Sequence, residues 1–412
     1  MDASSPSTPG EPLRHQGFRV FWSTGTLTFL GASVTMVAAD ALIITELEAT
    51  ESQVGLVRAV QFLPYPLIGL LVGALVDRWR KKPTLIWSTL GSGLALALIP
   101  LLGWAGHLSL LMVAAALFLA SGLGVFTVAA QQSILPDLVR REELVIANAR
   151  LGQSMTVAQT SGPPLGGALV GLIGGSSSIL AGGVSNLVAA AFLLRVRVSE
   201  PPRRRVGGSI WSDVAVGVRY VYRHRTLAPL AVSTHLWFLA NSAAVTVFAL
   251  FALRELGLSA LLYGFALAMA GIAGLGGAFA APWIGRRLGE GNAVILARML
   301  CAPAWIIVVL APGSAGEAFL ALCAGQAIHG FSMGLDDPNE GGYRQAVTPR
   351  QLLGRMSTTM RTVNRTMAVL GALLGGVIAG ALGYTAALWG IITVFVLAAV
   401  LLALSPFRGA RA

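Results

Sequence analysis

Residues 53–82 read QVGLVRAVQFLPYPLIGLLVGALVDRWRKK. The first part, 53–76, holds a single charge, Arg58, and the short tail 77–82 holds Asp77, Arg78, Arg80, Lys81 and Lys82. An apolar run of this length crosses roughly 30 Å of hydrocarbon as a helix, and a basic cluster at its end marks a cytoplasmic loop. A strand in a lipid-facing barrel would alternate over a shorter stretch, so the continuous run argues for a helix. Working outward, similar runs cover 19–45, 84–105, 108–133, 145–173, 177–195, 226–253, 259–284, 292–311, 316–337, 357–382 and 385–405, which predicts twelve spans. Across all 412 residues, 55% are hydrophobic and 11% charged, where soluble domains carry roughly 25% charged. Mean hydropathy is +0.74. A chain this apolar cannot cover a water-facing surface, which excludes a cytosolic enzyme, a secreted disulfide scaffold and a disordered protein. Cys301 and Cys323 form no metal-ligand spacing, so no metal is expected.

The net charge of +11 would suggest nucleic acid in a soluble protein, but its placement argues for membrane topology and against a nucleic-acid partner. Of 29 basic residues, 26 fall in the termini, the linker or the even-numbered loops and their edges; the exceptions are Arg58, Arg254 and Arg298. The positive-inside rule then places both termini of a multi-pass membrane protein in the cytoplasm. Residues 1–17 read as a disordered cytoplasmic tail with no cleavable signal peptide.

The chain also repeats. Gly73-Ala-Leu-Val-Asp77-Arg78 is matched by Ala281-Pro-Trp-Ile-Gly285-Arg286, and Gly166-Gly167 by Gly375-Gly376, at shifts of 208 to 209 residues. The expected architecture is an all-α membrane protein: a six-helix bundle over 18–196, a linker over 197–225, a second bundle over 226–406 related by pseudo-two-fold symmetry, and a tail over 407–412. Ile210, Trp211, Val214, Val218 and Val221 recur at helical spacing among linker arginines and predict an interfacial amphipathic helix against membrane lipids.

At these residues the chain resembles the major facilitator superfamily along essentially its whole length. The family signature after span 2 is Gly-x-Leu-Ala-Asp-Arg-x-Gly-Arg-Lys. Here Gly73, Leu75, Asp77, Arg78 and Lys82 stand in that frame, with Arg80 where Gly is usual. Gly162-Pro163-Pro164-Leu165-Gly166-Gly167 resembles the exporter-associated motif of span 5, with Ala158 at its first small position. Pro136-Asp137-Leu138-Val139 and Ala147-Asn148-Ala149 resemble the enterobactin-exporter-like, multidrug-efflux branch. The arginine that some drug/proton antiporters carry in span 4 falls on Phe118.

The resemblance implies a monomeric secondary transporter, with no cofactor beyond a proton gradient. It would export small amphipathic compounds (drug, siderophore or secondary metabolite) by alternating access in antiport with protons. An importer or facilitator of a polar metabolite is the alternative. It further implies a cytoplasmic gate in which Gly73 lets helices close, Asp77 meets the start of span 11, and Arg78 or Arg80 pairs with Asp137. Gly162, Pro163, Pro164, Gly166 and Gly167 read as a hinge, because prolines remove backbone donors and glycines let helices touch.

Membrane-embedded polar groups are costly and face protein or water. Asp40 and Arg58 lie at similar depth on neighbouring spans and are expected to pair, with Asp40 the proton-coupling carboxylate. Gln61, His235, Asn241, Gln326, His329 and Arg361, with Asp40, are candidate liners of a central substrate cavity, beside Asn364 and Arg365. Asp336 and Asp337, near the cytoplasmic end of span 10, are expected either to meet Arg344 or Arg361 in a gate or to bind substrate. Spans 3, 6, 9 and 12, nearly bare of polar groups except Arg298, are expected to face lipid.

Overall fold

Caps, glycines and prolines set the helix boundaries. The computed structural model describes residues 12–76, 78–196, 198, 210–312 and 314–411. It is 88% helix, with no strand among the described residues. In chain order the helices are α1 (Gln16–Ala41), α2 (Glu51–Phe62), α3 (Pro64–Val76), α4 (Lys81–Trp104), α5 (Leu110–Ile134), α6 (Leu144–Ile173) and α7 (Gly175–Leu193). The linker helix α8 (Ile210–Arg223) follows, then α9 (Leu227–Leu250), α10 (Ala260–Leu288), α11 (Glu290–Val309), α12 (Ala315–Val347), α13 (Leu353–Leu382) and α14 (Tyr384–Ala403).

Ten helical stretches among the described residues are long and apolar enough to cross a membrane. Two expected spans take another form. Pro64 and Pro66 break the second at Leu63, dividing it into α2 and α3. The fifth is the single 30-residue helix α6, whose apolarity is diluted by Gln153, Gln159, Thr160 and the two internal prolines.

The sequence repeat is a structural one. Helices starting at 51, 81, 144 and 175 recur at 260, 290, 353 and 384, each 209 residues on. A π-helical turn extends α1 over Leu42–Glu46 and α9 over Phe251–Glu255, at the same shift. Each turn is closed by an N–H to a carbonyl five residues back, Leu47 to Leu42 and Leu256 to Phe251, both at 2.9 Å. Gly257 then takes the left-handed conformation, which its counterpart Glu48 adopts despite a side chain.

In the first half of the chain α1 packs on α6 and α7, and α4 on α5 and α7; in the second half α12 packs on α10 and α11, and α9 on α13 and α14. The halves meet along two seams, α6 on α10 and α2 on α13. One apolar core joins them at the end away from the arginine-rich loops, through Val37, Leu42, Phe248, Leu250 and Trp305. At the arginine-rich end the cores are separate: Phe18, Leu85 and Ile134 in one half, Leu230, Tyr343 and Phe407 in the other.

The amphipathic helix expected in the linker is α8. Gly217 seats it on α13, where a Cβ would stand 2.7 Å from the Arg355 carbonyl, and Val221 is buried with Met356 and Met360. Val218 stays exposed, and the side chains of Ile210 and Trp211 lie outside the described residues. The boundaries shift at both termini. α1 begins at Gln16, inside the stretch expected to be loose, and its lead-in His15 bonds Glu143 at 2.9 Å. Arg140 also hydrogen-bonds Glu143 and holds its carboxyl down at about 2. The expected C-terminal tail folds back as a short turn: Phe407 is fully buried against Tyr343, and the Ala410 carbonyl accepts from Gly291 N–H at 3.1 Å.

Candidate functional site

The three basic residues that break the one-sided charge pattern are each bound by carboxylates. Asp40, in the last turn of α1, accepts a hydrogen bond from the Arg58 guanidinium of α2. Its other oxygen accepts from the Tyr263 hydroxyl of α10 at 2.9 Å. Asp40 is 3% exposed and Arg58 8%, so the expected pair is fully withdrawn from solvent. Tyr263, which sequence reasoning missed, makes it a bond between the two halves; an aromatic near a helix start carries no sequence signal for such a role.

Arg254 makes a second tie across the halves. Its position in the π-helical turn after α9 aims the guanidinium at the first half. It reaches Glu51 at 3.1 Å and the carbonyls of Ile44 and Ala49 at 3.0 and 2.8 Å. Glu51 is placed by the Thr50–Gln53 capping box that opens α2, and it also accepts from the Tyr384 hydroxyl at 2.6 Å. A hydrogen bond to a charged group contributes about 1.5–3 kcal/mol, less where, as here, the pair is partly exposed.

Glycines along the seams show which end is shut. A Cβ on Gly167 would collide with the Ala260 carbonyl, and one on Gly264 with the Pro163 carbonyl; one on Gly55 would stand 2.7 Å from the Ala372 carbonyl. Toward the arginine-rich end, Cβ atoms on Gly69, Gly73, Gly152 and Gly354 would meet nothing within 4 Å. The close approach expected at Gly73 is not made in this state, where its side of α3 is open, although α3 and α13 meet nearby with Arg365 over the Tyr65 ring.

The expected gate pairs rearrange accordingly. Asp77 lies outside the described residues. Arg78 and Arg80 are exposed, and Asp137 is held instead by Lys81 at 2.7 Å. Within the expected hinge, Gly162 and Gly166 face α1, where Gly166 sits against the Val34 carbonyl, while Pro163 and Gly167 face α10. Gly167→Val should therefore disturb the seam between halves and leave the first half intact. Dye turnover is expected to fall about tenfold or more with binding little changed, checked by comparing binding with flux. Equal losses in both would show general unfolding.

The third exception, Arg298 on α11, points into the second half and not toward lipid. It is 2% exposed and bridges Asp336 at 2.8 Å and Glu340 at 2.7 Å on α12, over the Trp237 ring. Arg344 takes the other Glu340 oxygen at 3.0 Å, so the pairing expected between Asp336 and Arg344 or Arg361 is replaced. Glu340 was missed; a carboxylate four residues before Arg344 is its sequence signal. Arg298→Leu leaves buried Asp336 without its counter-charge and Glu340 with Arg344 alone, and should cost about 3–5 kcal/mol, read as a lower melting temperature in detergent. The triple variant with Asp336→Asn and Glu340→Gln should recover much of that loss.

Several of the expected cavity liners bond between helices. His235 Nδ1 bonds Asn364 at 2.6 Å and its Nε2 the Tyr222 hydroxyl of α8 at 2.7 Å. His329 Nε2 bonds Asn241 at 2.9 Å, its ring stacks on Trp237 and meets Trp305 edge-on, and its buried Nδ1 has no partner among the described residues. Gln326 is buried and Gln61 half-buried. The two histidine–asparagine pairs spend polarity on helix packing, since a free donor in an apolar interior costs more than a bonded one. Arg361 stays exposed on α13, and Arg365 lies over the Tyr65 ring of α3 at 4.7 Å.

Long apolar helices in two repeated halves, tied by buried charges at one end and parted at the other, are the frame of a multi-pass membrane transporter. Residues 7–412 match the family model of the transmembrane secretion effectors, and the chain belongs to that family of the major facilitator superfamily. It is 25% identical over 388 residues to the multidrug efflux pump Tap of Mycolicibacterium fortuitum, covering 89% of this chain and 92% of that pump. It is 26% identical over 228 residues to Tap of Mycobacterium tuberculosis; that match takes in 53% of this chain and spans about half, 54%, of the pump. Among solved structures, a bacterial homologue of the human lysosomal transporter Spinster, inward-facing and occupied, superposes with a TM-score of 0.77 at 16% identity, over 96% of this chain and 97% of the other. Family and fold are those of transporters and not of enzymes.

Proposed function

We propose that this protein exports small amphipathic compounds across the bacterial inner membrane in exchange for protons. In this reading twelve spans form two bundles of six, with α2 and α3 together as the second span and α6 as the fifth. Both termini and the α8 linker face the cytoplasm, and the transporter works as a monomer. The observation that carries the reading is the buried Asp40–Arg58 pair, bound across the halves by Tyr263 at the shut end.

The open crevice beside α3 then faces the cytoplasm, where substrate enters. Substrate entry favours closing of that crevice and parting of the opposite end. Parting withdraws Tyr263 from Asp40, and the carboxylate takes up a proton from outside. Reclosing seats Arg58 and Tyr263 on Asp40 again and expels the proton inward. Each state is stabilised by contacts the other lacks, which is what lets a ligand shift the balance. The efflux pumps named Tap support the direction of transport.

The test is reconstitution in proteoliposomes with an imposed pH gradient and a fluorescent amphipathic dye. Dye flux should follow the gradient and stop with an uncoupler. Flux that ignores the uncoupler would leave a facilitator.

A further inference from the structure

Arg58, Arg254, Arg298 and Arg344 each have a carboxylate partner. Arg361 and Arg365 have none among the described residues. They lie one turn apart on α13, so their side chains share a face. Counting from Leu353 at 1.5 Å per residue, Arg365 sits roughly 18 Å into the helix, a depth at which an ionised group is costly. Gly354, Thr358 and Arg361 are exposed, and α13 meets α3 where Arg365 reaches Tyr65, while Cβ atoms on Gly69 and Gly73 further along α3 would meet nothing within 4 Å. Arg365 lies over the Tyr65 ring of α3 at 4.7 Å, a cation–π contact that uses none of its N–H donors on a carboxylate.

We infer that this crevice is an oxyanion site, and that the exported compounds carry a carboxylate, sulfonate or phosphate seated between Arg361 and Arg365, with an apolar body against Tyr65. Two guanidinium edges one turn apart bind such a group by paired, charge-assisted hydrogen bonds. Seating the anion there draws α13 toward α3, the movement that closes this end. The assignment rests on the exporter reading for its direction, but anion binding itself requires no gradient.

Two dyes of one ring system but opposite charge test it: carboxyfluorescein and rhodamine 6G, with binding read as fluorescence polarisation on the purified full chain. Carboxyfluorescein should bind about tenfold or more tightly. Arg361→Gln and Arg365→Gln should each weaken it about tenfold without moving rhodamine 6G, and Arg365→Lys should restore part of the loss. Variants that elute and melt as the parent carry the comparison; if the glutamine forms fail to fold, the lysine form alone must still show the weaker, salt-sensitive binding. Equal affinity for the two dyes, no saturable carboxyfluorescein binding, or a double glutamine variant that binds as the parent would overturn the site. So would displacement of carboxyfluorescein in nanodiscs by phosphatidylglycerol but not phosphatidylcholine, which would assign the arginines to a lipid headgroup. Charge-selective binding together with uncoupler-insensitive flux would keep the anion site and overturn proton exchange alone.

Discussion

Asp40→Asn should abolish gradient-driven dye efflux in proteoliposomes while leaving dye binding measurable. The asparagine keeps the shape and can still accept the Tyr263 hydroxyl, but it cannot exchange a proton. It also leaves the Arg58 guanidinium, 8% exposed, without its counter-charge. Stranding one member of a buried pair costs about 3–5 kcal/mol, so the single variant should also melt lower in detergent. That second effect would confuse the test. Asp40→Asn combined with Arg58→Gln removes both charges and should recover most of the melting temperature, because the buried-charge penalty vanishes with the arginine. If the double variant is stable and still inert to a pH gradient, the loss belongs to coupling. A stable double variant that continues to drive dye uphill would remove Asp40 from the proton path.

Arg254→Ala should shift the resting conformation. Its guanidinium ties the second half to Glu51 and to two carbonyls of the loop between α1 and α2, all at the shut end. Partial exposure discounts the ion pair, so the net loss is about 1–3 kcal/mol, enough to move a two-state equilibrium roughly 5- to 150-fold. The shift is read at the other end. With Cys301 and Cys323 replaced by serine, Gly73→Cys reports whether its side of α3 is open. Adding Arg254→Ala should slow maleimide labelling there, because the crevice closes as the latch end opens. Tyr384→Phe removes one hydrogen bond to Glu51 and should give a smaller change in the same direction, about 1 kcal/mol. Unchanged or faster labelling would show that these contacts hold no conformation in place.

The charge reading of the sequence went furthest at its exceptions. Arg58, Arg254 and Arg298 violate the one-sided distribution, and each proves to be bound by acidic side chains. Depth along neighbouring apolar runs was enough to match Asp40 with Arg58. Nothing in the pattern pointed to Tyr263, whose contribution depends on α10 lying beside α1. His235 and His329 were legible as buried polar groups but not as paired ones. Their partners Asn364 and Asn241 lie 129 and 88 residues away, and only the rotation of each helix about its axis decides whether such groups meet. Gly73 and Asp137 show a different limit. The gate that the resemblance implies is a closed arrangement, whereas here the side of α3 at Gly73 is open and Asp137 is bonded to Lys81.

The amino-acid order alone determined that the chain is a helical membrane protein, that it is doubled, and that Asp40, Arg58 and Arg298 lie within its apolar runs. Hydrocarbon enforces these through length and desolvation, which are local properties of a run of residues. Tertiary structure alone decided which acids Arg254 and Arg298 take, that Arg361 and Arg365 take none among the described residues, and which end of the molecule is shut. Those outcomes depend on helix tilt, rotation and close approach between segments some two hundred residues apart, and several arrangements of one sequence satisfy the same local rules.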